Sequence, residues 1–460
     1  MTLARLVRRR IADQPLALMV KIFVWGNMVL LTGGALLLAY GPNWYRETVF
    51  GSCGAQQIQL STAQVVTWLT LLILCPILLL GTMLATVRVL RNPSALASRP
   101  NACLHPLTYL ACLIFLAFVP LWNVSEIFSN TLAVAGDFES WRSQRWQIFE
   151  KLAFPEFVVL YTIVPALALA AVCSAVFRLH RRSWCVWLPA VLAVFLMLAI
   201  DIGLSMKKQF SIHLVMLGIV LYLSRAIRGA IFIATLGVVV VGFVLTLYFS
   251  GSVQGDDYYS NLTFDDVPRL VSGTPESWHS LVDSTPTPPA NLAFVLHSIT
   301  SRSALPSFYY VANFPSTTPY TGVNVPFLGT SSGKFHNHLV NESMYPGELG
   351  TSYSGWAFAL YSEAGLLWAL VGSMLLGAGV GAWWTMCCRI LCAELLVVAQ
   401  ALVISFLLLL NTDDWVNNAV SSYGILYPTV VLIIINGIVP RQRPWNYRSS
   451  ESPSVSTPRS

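Results

Sequence analysis

Charge is what this sequence has least of. Asp, Glu, Lys and Arg make up only 10% of its 460 residues, against about 25% in a typical soluble protein. The deficit excludes an ordinary water-soluble enzyme, a disordered chain and a nucleic-acid binder, each of which needs charge for solvation or for contact with phosphate. A disulfide framework is missing too. Of the nine cysteines, only Cys53 falls in a segment expected on the outer face, and a lone cysteine cannot form an intramolecular bridge. Cys387, Cys388 and Cys392 have neither the C-x-x-C pairing nor the partner histidines of a zinc site. No G-x-x-x-x-G-K-[ST] loop and no H-E-x-x-H motif occurs, so nothing points to a bound nucleotide or a catalytic zinc. No cofactor and no metal site is expected.

What remains is apolar: 55% of the chain. About 20 consecutive apolar residues cross a bilayer as a helix. Ten stretches qualify, near residues 17–40, 62–86, 103–121, 154–177, 184–202, 209–224, 229–249, 364–384, 392–411 and 419–438. The first follows Arg5, Arg8, Arg9 and Arg10. Its apolar run is too long for a signal peptide and lacks a small-x-small cleavage site, so it reads as an uncleaved anchor. The fold class expected is therefore all-α, a polytopic helical membrane bundle with about ten spans and one large outer loop. Residues 1–249 form a seven-span half, 250–351 the loop, 352–440 a three-span part and 441–460 a Ser/Pro-rich disordered tail.

The positive-inside rule sets the orientation. With the N-terminus cytoplasmic, the inner loops hold Arg88, Arg91 and Arg99, then Arg178, Arg181 and Arg182, then Arg225 and Arg228, then Arg389, while the tail adds Arg441, Arg443, Arg448 and Arg459. Most acids fall on the other side, and both termini are expected in the cytoplasm. The spans hold few ionisable residues, and Lys21, Asp201, Glu363 and Glu394 all lie near span ends. That pattern argues against an ion-driven carrier, which needs such groups at mid-depth. GAGVG at 377–381 lies within a span and reads as a helix-packing surface.

The outer segments hold the candidate chemistry. Arg142, Arg145 and Lys151, Lys207 and Lys208 in the turn between spans five and six, and Arg269, Arg302 and Lys334 stand there against the orientation rule. Individually they read equally well as surface pairs, Arg142 and Arg145 with Asp137 and Glu139, and Lys207–Lys208 with Asp201. Collectively, cations at the outer end of a bundle could hold a phosphate or diphosphate head group. On this reading Arg142, Arg145, Lys207, Lys208 and Arg302 bind the diphosphate. The run from Gly333 to Gly350 brings His336, His338, Glu342, Tyr345 and Glu348 close together before a span, and His338 or Glu342 is the expected general base. Trp141, Trp146, Tyr258, Tyr259, Tyr309 and Tyr310 could stack on sugars or line the membrane interface.

In three places the chain resembles the bacterial oligosaccharide repeat-unit polymerases, the O-antigen polymerase family. These are Glu139-Ser-Trp-Arg-Ser-Gln-Arg145 ahead of an aromatic span, Asp201-Ile-Gly-Leu-Ser-Met-Lys-Lys208 between two short spans, and Gly347-Glu-Leu-Gly350 with Glu363-Ala-Gly-Leu-Leu367 at the loop's end. Lys207–Lys208 stands where that family commonly has Arg. The related O-antigen ligases carry a His-Asn pair shortly before an acidic-x-Gly helix start, whereas His336–Asn337 lies far upstream of Glu363. The resemblance implies metal-independent glycosyl transfer on the periplasmic face of the inner membrane. A glycan on undecaprenyl diphosphate would be the donor, and the terminal hydroxyl of a new lipid-linked repeat unit the acceptor. Implied partners are the lipid-linked oligosaccharide, membrane lipids, a chain-length regulator and a flippase of the same pathway, with no nucleic acid. A ligase, another multi-spanning lipid-linked-sugar glycosyltransferase and a non-catalytic export or assembly protein are the alternatives.

Overall fold

The computed structural model describes residues 15–46, 60–90, 104–123, 151–178, 184–204, 207–224, 226–229, 231–234, 236–237, 304–314, 339–340, 343–344, 355–410 and 427–438, with a few isolated positions between 277 and 286. Among these every regular element is helical and none is a strand. In chain order they are α1 (15–40), α2 (Thr62–Leu90), α3 (Pro106–Asn123), α4 (154–177), α5 (Trp184–Gly203), α6 (Lys207–Leu223), α7 (Leu305–Asn313), α8 (Trp356–Ile390), α9 (Ala393–Leu410) and α10 (Tyr427–Ile438). Five helical stretches among the described residues are long and apolar enough to cross a membrane: Thr62–Leu90, Val159–Phe177, Trp184–Gly203, Ala364–Ile390 and Ala393–Leu410. Shorter apolar helices cover Pro15–Trp25, Leu31–Tyr40, Pro106–Ala117, Phe210–Leu223 and Tyr427–Ile438. Helices with so little polar surface keep their backbone groups bonded internally, which is what a lipid environment requires.

Polar contacts fix which helix ends meet. At one end, Arg389 of α8 donates to the Leu90 carbonyl that closes α2. The Cys173 thiol, near the close of α4, donates to the Glu394 carbonyl of α9 at 3.1 Å, and Ser174 donates to Leu104, just ahead of α3, at 2.6 Å. Asn436 near the end of α10 accepts from the Cys392 amide at 2.9 Å and donates to Ile390 at 3.0 Å. This end carries Arg88, Arg178 and Arg389. The opposite end gathers the close of α1, the starts of α2, α4, α6 and α8, and the ends of α5 and α9. Leu223 at the close of α6 therefore belongs to the arginine end, whereas α7 packs on the beginnings of α2 and α8.

The tightest joint is between α2 and α8. A Cβ on Gly377 would sit 2.2 Å from the Leu79 carbonyl oxygen and from Thr82 Oγ1, and one on Gly381 would sit 2.7 Å from the Met83 carbonyl oxygen. Two glycines four residues apart thus let α8 approach the backbone of α2, as read from the sequence. Three segments, Gly26–Gly33 in α1, Thr70–Leu74 in α2 and Val159–Ile163 in α4, are wound wider, with π-helical turns. The first two face each other, and there Asn27 Nδ2 donates to the Leu72 carbonyl at 3.4 Å.

α8 is one helix in name only. Ala364 (φ −150°, ψ 21°) and Gly365 (φ 81°, ψ −172°) are non-helical and break it into a short buried leader and the span Ala364–Ile390. Glycine meets a positive φ without the Cβ clash other residues incur. The acidic-x-Gly sequence Glu363-Ala-Gly365 therefore marks the break itself. The span also runs six residues beyond the expected 384, because Thr385–Ile390 continues as helix to Arg389, which is held on Leu90.

Candidate functional site

At the end opposite the arginines, the buried polar side chains include Arg46, Asp201, His213, Ser307 and Ser362. The closest pair is Asp201, two residues from the end of α5, and His213, in the second turn of α6. Asp201 Oδ2 and His213 Nδ1 are 2.6 Å apart, with side-chain exposures of 7% and 1%. When the carboxylate is ionised it can only accept, and the ring then donates through Nδ1. Removing both groups from water is costly unless they satisfy each other. Ionisable residues inside membrane spans accordingly mark functional positions by default.

Lys207 and Lys208, expected in a turn, are instead the first two residues of α6. That changes their electrostatics. A helix N-terminus carries about half a positive charge from its aligned peptide dipoles, and each cation placed there opposes it by about 0.3–1 kcal/mol at an exposed site. Lys207 and Lys208 thus belong to a helix end whose dipole is already positive.

The same end holds a second polar assembly around α7. Ser61 and Gln64 close a capping box at the start of α2, with the Ser61 amide donating to Gln64 Oε1 at 2.8 Å. The Nε2 of the same Gln64 donates to the last-turn carbonyls of Val311 and Ala312 in α7, at 3.4 and 3.5 Å. One turn on, Trp68 Nε1 donates to Ser307 Oγ at 2.9 Å while its ring stacks on Phe308, centroids 4.7 Å apart. Tyr361, in the leader of α8, donates to the Phe314 carbonyl at 2.7 Å, and burial pushes its phenol up to about 12. Residues 304–311 are all buried. Tyr309 and Tyr310, weighed as rings for stacking on sugars, are therefore core side chains at 2% and 1% exposure. Their helix is wedged between α2 and α8 and offers no free ring face.

Arg142, Arg145, Arg302, His338 and Glu342 lie outside the described residues. Of the residues near His338 and Glu342 in sequence, Leu339, Val340, Ser343 and Met344 are described. Val340 and Met344 are buried, and Asn313 at the close of α7 donates to Ser343 Oγ at 3.1 Å. Two groups escaped the sequence reading. One is His213, whose signal was Asp201 twelve positions earlier across a short connection. The other is Arg46, fully buried, whose Nε donates to the Leu38 carbonyl at 3.2 Å. It satisfies the C-terminal end of α1, where a cation is favoured.

No known protein family matches the chain, and no curated protein or solved structure is detectably similar to it.

Proposed function

We propose that this protein is a multi-pass inner-membrane glycosyltransferase that joins undecaprenyl-diphosphate-linked oligosaccharide repeat units into a surface polysaccharide on the periplasmic face. The observation that carries the reading is the position of Lys207–Lys208 at the N-terminus of α6. Positive charge there is unfavourable for the isolated helix and favourable beside a diphosphate. A departing diphosphate needs several donors directed at the charge it develops. Arg142, Arg145 and Arg302 complete the set, with His338 or Glu342 as the base. No nucleotide is consumed, because the sugar arrives already activated on its lipid.

Ten spans with both termini cytoplasmic agree with the helix directions. Among the described helices, α1 starts and α10 ends at the arginine end, and the tenth span is the one read from the sequence at 229–249. This topology gives the first expected result: reporter fusions at Pro288 and Ser460 read opposite compartments. Matching readouts at the two sites would refute it.

The helix break at Ala364–Gly365 favours one second reading. An acidic-x-Gly helix start is the pattern of the related O-antigen ligases, and here it coincides with the entry into a span. Deleting the gene separates the two. Loss of long polysaccharide with single repeat units still attached to their final acceptor is the polymerase outcome, and a gel of surface glycans reads it. Loss of every attached glycan, single units included, would favour the ligase.

A further inference from the structure

We infer that Gln400 of α9 and Thr429 of α10 form an internal water-binding site midway through the bundle, where water joins the two helices. The site is independent of the glycosyl-transfer reading.

Gln400 is 1% exposed, and neither its amide oxygen nor its amide nitrogen has a hydrogen-bond partner among the protein's groups. With both ends unpartnered, the point holds whichever way the amide is turned. Thr429 is 2% exposed, and its hydroxyl is unpartnered as well. The two residues stand at one height. Asn436 of α10 bonds to both Cys392 and Ile390 at the start of α9. At 1.5 Å per residue, Gln400 lies about 12 Å along α9 from Cys392, and Thr429 lies about 10.5 Å back along α10 from Asn436. α9 and α10 pack on each other, and α4 packs on both.

The neighbouring helices explain why no side chain satisfies these groups. The Cys173 thiol on the Glu394 carbonyl sets the register of α4 against α9. Six residues on from that contact, Gln400 stands level with Leu167. Residues 164–172 of α4 have no side chain that donates or accepts a hydrogen bond. Four of the nine are alanines, whose short side chains suit a neighbour that must accommodate water. Other buried hydroxyls turn back on their own helix, as Ser373 does on Ala369 and Thr385 on Gly381. Thr429 has no such acceptor within α10, because it is the third residue and the carbonyl one turn back precedes the helix. Ser405 is unpartnered too, but it stands about 140° around α9 from Gln400 and belongs to another face.

Unsatisfied polar groups are especially costly in a membrane interior, and internal water is their usual partner. The chemistry of the pair specifies the ligand. The amide offers two N–H donors and an acceptor oxygen, and the hydroxyl both donates and accepts. Neither residue is charged, so an ion gains no counter-charge from them. A small neutral molecule that donates and accepts at once is what fits, and water is the smallest.

The test is hydroxyl-radical footprinting of the purified full-length protein in lipid nanodiscs. An X-ray pulse splits water where it is bound, and the radicals oxidise the side chains beside it. Leu396, Val403 and Ile404 are buried in α9 one turn from Gln400 and should be oxidised in the wild type. Leu79, equally buried in the α2–α8 joint, should stay at background. Thr429→Val keeps the shape and loses the hydroxyl, so it should lower the labelling around Gln400. Gln400→Leu/Thr429→Val should bring it down to the level of Leu79, because replacing a whole polar set by apolar groups of similar shape is tolerated by a fold. Wild-type labelling no higher than that of Leu79 overturns the site. Labelling undiminished in Thr429→Val overturns it as well, and that near-isosteric variant decides even where the double variant does not fold.

Discussion

Gly377→Leu should leave almost no folded protein. The α2–α8 joint has no room for a side chain at this position. Even a single Cβ would lie 2.2 Å from the Leu79 carbonyl oxygen, and Gly381 has the same problem at 2.7 Å from the Met83 carbonyl. Neither obstacle is a side chain that could rotate away, so both helices would have to separate along their length. Overpacking a core ordinarily costs about 1–3 kcal/mol, and a clash of backbone against backbone belongs at or beyond the top of that range. Gly379 is the control. A Cβ there meets nothing within 4 Å, and alanine in a helix is favoured over glycine by about 0.5–1 kcal/mol. Gly379→Ala should therefore match or exceed the wild type in melting temperature, while Gly377→Leu is recovered as aggregate on size-exclusion chromatography. Wild-type elution of Gly377→Leu would disprove the joint.

Trp68→Ala should be nearly as damaging. The indole is 1% exposed, stacks on Phe308 and, with Gln64, links α2 to α7. Removing a buried ring of this size typically costs about 3–5 kcal/mol, much of the stability of a natural fold. The loss would release α7 from its wedge and, with it, the Tyr361–Phe314 contact at the leader of α8. Trp68→Phe keeps most of the packing and gives up the bond to Ser307, whose hydroxyl retains its own acceptor in Ala304. Its expected cost is only about 1 kcal/mol. Thermal unfolding of the two variants should rank them in that order. Equal melting temperatures would show that the ring's volume contributes little.

Apolar run length and flanking arginines made the helices legible in the sequence. α2, α4, α5 and α9 begin and end within a few residues of the stretches read there, because a bilayer-length helix needs no partner to announce itself. GAGVG was legible as a packing surface for the same reason: glycines four apart on a span have one common use. The functional end was harder to see. A single histidine in an apolar run has no periodic signature, so His213 becomes visible only once the α5–α6 connection folds it back on Asp201. The buried helix α7 was missed because Leu-Pro-Ser-Phe-Tyr-Tyr in a long polar segment reads as loop with exposed rings. What buries it is the indole of Trp68, over two hundred residues away. Arg46 and the lysines of α6 show the same limit. The side of the lysines was read from the sequence and Arg46 was not singled out there, and only helix boundaries reveal which dipole end each one meets.

The pairing of α2 with α8 also sets a timetable. The arginine that ties them together, Arg389, lies 299 positions after its acceptor Leu90. A chain elongating at about 5–20 residues per second would insert α2 roughly 15–60 s before that arginine is made. Through this interval the face of α2 around Leu79 and Met83, shaped to receive glycine backbone, has only lipid or the earlier helices against it. Chains that stop before residue 364 never acquire the partner at all. Early helices in such a fold must survive as independent spans, and final compaction is an event of the last hundred residues.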